Sequence, residues 1–327
     1  MNRWLLGGAG VGVLLLPLWL MAATPSGDLF GRWSDHLRHQ GESVALFSKG
    51  PKIYGMTYGA AVEGLILPCD EHLGLWPKTG IPYPPLAVAL HYPFALAEQV
   101  IRPSLVHATL TWFFGLVGLL TVVWVTVQLA GWRRWVFLLA FGPLIVGTGL
   151  SGFYDTVWLA FATRAVILAS PSDAAISFVT HFRGAVTLGL LAHAKSRFSR
   201  LILAVLVIPN LCLLAFVSRH LGEFETNSRL HWSRPVAWWF PITTLAVVWL
   251  TRREKRLWAL IVPCAVLFFL DRQSAFWHLL ILVPPATDAL RSASAQNALL
   301  VIGWATITAQ AFLDSYIPFP IFWLMLR

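Results

Sequence analysis

Beyond residue 84 the chain is a succession of apolar runs with little polar sequence between them: a proline-punctuated 84–101, then 107–131, 135–153, 156–171, 184–194, 201–217, 235–251, 257–270, 274–290, 297–313 and 316–326. Most of these runs leave no polar face, which is the pattern of helices surrounded by apolar material on every side. A spanning helix needs about 20 apolar residues, so the chain has room for about eight to ten spans. Several runs are too short to cross alone, and 257–270 and 274–290 are interrupted or bounded by proline. Broken or re-entrant helices survive at membrane depth only where protein or a polar cavity covers the freed backbone, so a cavity is expected. At the start, Arg3 precedes an apolar run from Trp4 to Ala23. The run is long for a signal-peptide core and reads as a retained signal-anchor helix over 1–23.

Residues 24–81 break the pattern. This polar stretch carries Asp28, Asp35, Glu42, Glu63, Asp70 and Glu71 among several Gly and Pro, and it must lie outside hydrocarbon. With Arg3 on the cytoplasmic side, it becomes a long first extracytoplasmic loop, and loops of that length are usually functional. The expected organisation is an all-α polytopic membrane protein: a first helix over 1–23, a catalytic loop over 24–81 and a multi-helix domain over 82–327.

Composition agrees. The chain of 327 residues is 57% hydrophobic and 12% charged, with a mean hydropathy of +0.68, against about 25% charged residues in soluble domains. That excludes a soluble globular enzyme. The net charge of +9 reflects loop anchors of a membrane protein and not nucleic-acid binding. Basic clusters at Arg133 and Arg134, at Lys195, Arg197 and Arg200, and at Arg252 to Arg256 mark cytoplasmic loops. Three apolar runs separate the first two clusters, an odd number, so either one run is re-entrant or the second cluster faces outward and binds an anion. Cys69, Cys212 and Cys264 are too dispersed for a disulfide framework or a zinc site.

Five places could carry chemistry. Asp28 and Asp35 stand seven residues apart, which on a helix is about 10 Å along the axis and nearly one face; the structural alternative is an N-cap at Asp28. Ile81-Pro82-Tyr83-Pro84-Pro85-Leu86 is a stiff entry into the next helix. Tyr154-Asp155 lies between two apolar runs, with Arg164 nine residues on. Ionisable groups at membrane depth are costly and point to function, or else the two pair within the bundle. Arg183, His193, Lys195, Arg197 and Arg200 flank the short run 184–194, as a phosphate-binding group or an ordinary anchor. Trp277 and His278 precede Pro284-Pro285 near a late membrane entry.

The order of these motifs resembles GT-C superfamily integral-membrane glycosyltransferases. An early Gly-Asp follows the first helix, Tyr-Pro-Pro-Leu stands at the next membrane entry, a Gly-aromatic-aromatic-Asp-x-x-Trp turn comes next, and a small-residue helix ending in Lys precedes a late Trp-plus-Pro helix. The chain is similar in particular to polyprenol-phosphate-sugar-dependent enzymes and mannosyltransferases of glycolipid assembly, loosely over residues 1–290. The resemblance implies Asp28 as catalytic base with Asp35 as second choice, Asp155 as a further member of the site, and Arg32, Arg183 and Lys195 on the donor phosphate. Trp33, Tyr83, Tyr154, Trp277 and His278 would line the substrate. It further implies a polyprenol-phosphate-linked sugar as donor, a lipid or glycan acceptor, and a multi-pass location in a bacterial inner membrane rather than the endoplasmic reticulum. It fixes no cofactor and leaves room for a divalent metal. Inverting transfer needs one carboxylate to take the acceptor proton while cations stabilise the departing phosphate. Two other classes share the architecture: a non-catalytic subunit of a glycosyltransferase complex, and a lipid or solute transporter.

Overall fold

The computed structural model describes residues 32–67, 80–81, 83–150, 152–194, 196–220, 255–270, 276–292 and 301. The described residues are mostly helical and contain no strand; one isolated antiparallel bridge joins Thr57 to Gly80. Among the described residues three helices are long and apolar enough to cross a membrane, over Leu105–Gln128, Arg133–Leu150 and Ser199–Phe216. They lie within α5 (Pro103–Gln128), α6 (Arg133–Leu150) and α9 (Arg197–His220), and correspond to the runs 107–131, 135–153 and 201–217. The runs 235–251, 297–313 and 316–326, and the segment 1–23, fall largely or wholly outside the described residues.

The faces these helices leave open are apolar. Leu105, Trp112, Leu116 and Leu120 of α5, Leu139 of α6 and Leu201, Val205 and Ile208 of α9 are all exposed. In water so much contiguous apolar surface would drive association; against acyl chains it is the favourable face.

Between the long helices lie shorter ones: α7 (Asp155–Leu168), α8 (Pro171–Thr180) and a 3-10 segment, Phe182–His193. At 1.5 Å per residue α7 is about 21 Å long, short of the roughly 30 Å hydrocarbon core. It survives because it is enclosed by protein: Trp158, Leu159, Ala162 and Val166 are fully buried, with α5, α6, α8, the 3-10 segment and α11 (Val283–Arg291) around it. The odd number of apolar runs between Arg134 and Lys195 thus becomes one full-length helix followed by three short pieces. Ser170 starts α8 by accepting the Asp173 amide on its hydroxyl at 3.3 Å, with Pro171 as first residue. The late run 257–270 is α10 (Lys255–Leu270), a helix containing Pro263; 274–290 is divided between the 3-10 turn Phe276–Leu282 and α11.

The polar stretch also folds. Arg32–Lys49 is α1, followed by a 3-10 turn, Gly50–Gly55, and α2 (Tyr58–Val62). Lys49 closes this corner by donating Nζ to the carbonyls of Ala60 and Glu63 at 3.1 and 2.8 Å. Its small core joins Ala45, Ile53, Tyr54, Tyr58, Ala61 and Val62 to Ile81 and Val88, where the chain returns. The re-entry is α3 (Pro85–Ala89) and α4 (Tyr92–Ala97), each beginning with proline in its first turn. Both pack on α1.

Candidate functional site

Asp155 opens α7 and is 4% exposed. The turn before it reverses the chain out of α6 through Gly152, whose φ of +86° suits a residue without Cβ. Gly152 N–H donates to Gly149 O at 2.9 Å and Phe153 N–H to Thr148 O at 3.2 Å. One turn into α7, the Trp158 indole N–H donates to Asp155 Oδ1 at 3.1 Å. Arg183 Nη1 donates to the same oxygen at 2.6 Å, and His181 Nε2 lies 3.5 Å away. Arg183 reaches this point because its neighbour Gly184 lies directly on α8: a Cβ on Gly184 would fall 2.3 Å from Ser177 carbonyl atoms. The result is a buried carboxylate and a partly buried guanidinium held in one geometry by three elements.

The buried face of α1 meets this unit. His36, His39, Gln40 and Ser43 recur at helical spacing and, with Glu42, are all buried. Glu42 is held as an anion: Arg38 Nε donates to Oε1 at 2.9 Å and His39 Nδ1 stands 3.2 Å from Oε2. Burial alone would raise the Glu42 carboxyl, but the Arg38 guanidinium and His39 together hold it below the ordinary range. Arg38 Nη2 also donates to Gly80 O at 2.8 Å, tying α1 to the end of the polar loop. The His39 ring packs edge-on against Tyr83 at 4.5 Å and Tyr154 at 5.1 Å between centroids, and lies 4.8 Å from His91. Tyr83 and Tyr154 each lie 5.5 Å from His181. An aromatic and imidazole layer therefore joins the Glu42 pair to the Asp155 pair.

Behind it runs a third polar group. Gln40 Nε2 donates to Glu98 Oε1 at 2.5 Å, His107 Nε2 lies 3.3 Å from that oxygen, His107 Nδ1 lies 3.3 Å from His36 Nδ1, and His36 Nε2 lies 2.6 Å from Gly152 O. Burial lowers the His36 imidazole to about 3, with His107 and His39 adding to the shift and the Gly152 contact opposing it. A histidine whose folded value lies below its unfolded 6.5 contributes stability above that pH and loses it as pH falls toward 3. The unfolding free energy in detergent should accordingly decline below pH 6.5 with a slope of up to about 1.4 kcal/mol per pH unit from this group. His36→Gln should show a shallower acid slope; an unchanged slope would mean His36 does not carry it.

The sequence-predicted residues fall in two groups. Asp155, Arg183, Tyr83 and Tyr154 come together in this site. Arg32, Trp33 and Asp35 lie in the first turn of α1, and Trp277 and His278 in the 3-10 turn Phe276–Leu282, but their side chains lie outside the described residues, as do Asp28 and Lys195 entirely. Arg164, the nearer candidate partner of Asp155, pairs instead with Asp173 at 3.3 Å. The sequence motifs do not single out His36, Arg38, His39, Gln40, His91, Glu98, His107 or His181. For His39 and Gln40 the signal in the sequence is the polar i, i+3, i+4, i+7 spacing from His36 to Ser43; His91, Glu98, His107 and His181 have none of that kind. Among the described residues no group of three or more His, Cys, Asp and Glu side chains is placed to hold a metal ion. Set against models of known protein families, characterised proteins and solved structures, the chain matches none.

Proposed function

We propose that this protein is a membrane glycosyltransferase of GT-C type that moves a sugar from a polyprenol-phosphate donor to a lipid-linked or glycan acceptor by inverting displacement. The observation that supports it most is the buried Asp155–Arg183 pair beneath Tyr83 and Tyr154, where the polar-loop helix α1 meets the membrane helices. Carboxylate, guanidinium and aromatic rings are the groups that hydrogen-bond sugar hydroxyls, neutralise phosphate and cover a pyranose face. The planar guanidinium of Arg183 is the group that matches phosphate oxygens in geometry and charge. In this reading Asp28 takes the acceptor proton, Asp155 orients the sugar, and the remaining helices of a set of about eight to ten complete the fold. A divalent metal, if bound, would neutralise the leaving phosphate.

A second reading has its own support. Glu42 and Asp155 are each neutralised by an arginine and packed against rings, as in a network that only holds two parts together, and a non-catalytic subunit of a glycosyltransferase complex would keep such a network. Incubating the purified protein with radiolabelled polyprenol-phosphate sugars and membrane lipids separates the two. Transfer above a protein-free control is expected. Absence of transfer with every donor, from a folded preparation, favours the subunit.

A further inference from the structure

The third polar group, Glu98, His107 and His36, has a direction that its hydrogen bonds impose. Gly152 O can only accept, so the proton facing it sits on His36 Nε2, at 2.6 Å. A neutral His36, which its burial enforces, then has a bare Nδ1. Nδ1 of His107 lies 3.3 Å from that lone pair and must donate to it. Neutral His107 is in turn bare at Nε2, and Nε2 faces Glu98 Oε1 at 3.3 Å. Two acceptors would meet there unless a proton stands between them. The other Glu98 oxygen supports this reading: Oε2 is buried with no hydrogen-bond partner among the described residues, which suits the carbonyl of a neutral acid far better than a bare anion. Burial pushes the Glu98 carboxyl up to about 6, against the opposing hydrogen bond from Gln40.

We propose that Glu98, His107 and His36 form a positioning chain that holds one shared proton between Glu98 and His107, and that this chain fixes the Gly152 turn and through it Asp155. Its members come from α1, from the link between α4 and α5, and from α5, so the chain ties the polar-loop helix and the membrane bundle to the one turn that delivers Asp155 to the site. With the proton present, each donor finds an acceptor: Glu98 O–H to His107 Nε2, His107 Nδ1–H to His36 Nδ1, and His36 Nε2–H to Gly152 O. With the proton on His107 the first link becomes an imidazolium–carboxylate pair and the other two are unchanged. When it leaves altogether, lone pairs face each other across the first link. The titratable neighbours are His39 on α1, beside His36, and His91 between α3 and α4, beside both. The Arg38–Glu42 pair lies beyond His39, Gln40 contributes an uncharged amide, and the turn before α7 contributes the uncharged Gly152 carbonyl.

The step from Asp155 to activity rests on the glycosyltransferase reading; the proton chain itself does not, and the test keeps them apart. In the full-length protein labelled with 15N-histidine, ring-nitrogen shifts below pH 6 should show His36 protonated at Nε2 alone and His107 protonated at Nδ1. A His36 proton on Nδ1 would overturn the chain. The Glu98 proton should make a contribution to the thermal midpoint of wild type that falls as pH rises from about 4.5 through about 6, opposite in sign to the His36 contribution over that range. Glu98→Gln, which offers His107 a permanent N–H, should remove that fall, and an undiminished fall in Glu98→Gln would overturn the proposal. Transfer by Glu98→Ala should slow on the order of tenfold to hundredfold through misplacement of Asp155, while Glu98→Gln should lose the alkaline decline of its pH profile. Equal rates in wild type and Glu98→Ala would refute the link to Asp155. If wild type transfers no sugar while the tautomers and midpoints come out as expected, the glycosyltransferase reading and the link to Asp155 fall together and the chain stands as a latch on the Gly152 turn.

Discussion

Replacing Arg183 by glutamine should destabilise the protein by about 3–5 kcal/mol, the cost of leaving a buried charge without its partner. Asp155 is 4% exposed, and its described hydrogen bonds converge on Oδ1. Without Arg183, only Trp158 and a His181 nitrogen 3.5 Å away remain near that oxygen among the described residues, and neither supplies the full charge of a guanidinium. Asp155→Asn should cost less, because the amide oxygen still accepts from Trp158 and Arg183 and the charge left unpaired is that of Arg183, the more exposed partner. Arg183→Gln combined with Asp155→Asn should then be more stable than Arg183→Gln alone. Denaturation in detergent of the three variants checks the ordering. Equal stability of Arg183→Gln and wild type would mean the pair carries no net energy in the fold.

The loss of activity should be larger still at the carboxylates. A general base contributes typically about 10²–10⁴-fold, so Asp28→Asn should abolish detectable transfer while leaving expression and donor binding intact, and Asp35→Asn should do far less. Asp155→Asn should also be inactive, but through loss of an orienting contact, with turnover reduced more than apparent donor affinity. If Asp35→Asn is the dead variant and Asp28→Asn works, the base lies two helical turns further along the chain.

The long apolar helices were legible because lipid demands an unbroken run of about 20 residues, and α5, α6 and α9 follow their runs closely. The site was only partly legible, for a geometric reason. Arg164 was the nearer candidate for Asp155, but nine residues along a helix rotate by about 900°, or half a turn beyond two full ones, which puts it on the opposite face of α7. The true partner stands 28 positions away, across α8. The histidine face of α1 hid for a related reason: a buried helix face is expected to be apolar, and His36 is satisfied by a carbonyl 116 positions away in sequence. No local pattern carries a partner at that distance.

The most direct test of the account is single-turnover transfer from a radiolabelled polyprenol-phosphate sugar by wild type and Asp155→Asn, reconstituted in lipid vesicles and matched for thermal stability. The account predicts labelled product with wild type and at least about a hundredfold less with Asp155→Asn. Equal product from the two proteins would contradict it, because the buried carboxylate and its arginine would then serve the fold alone.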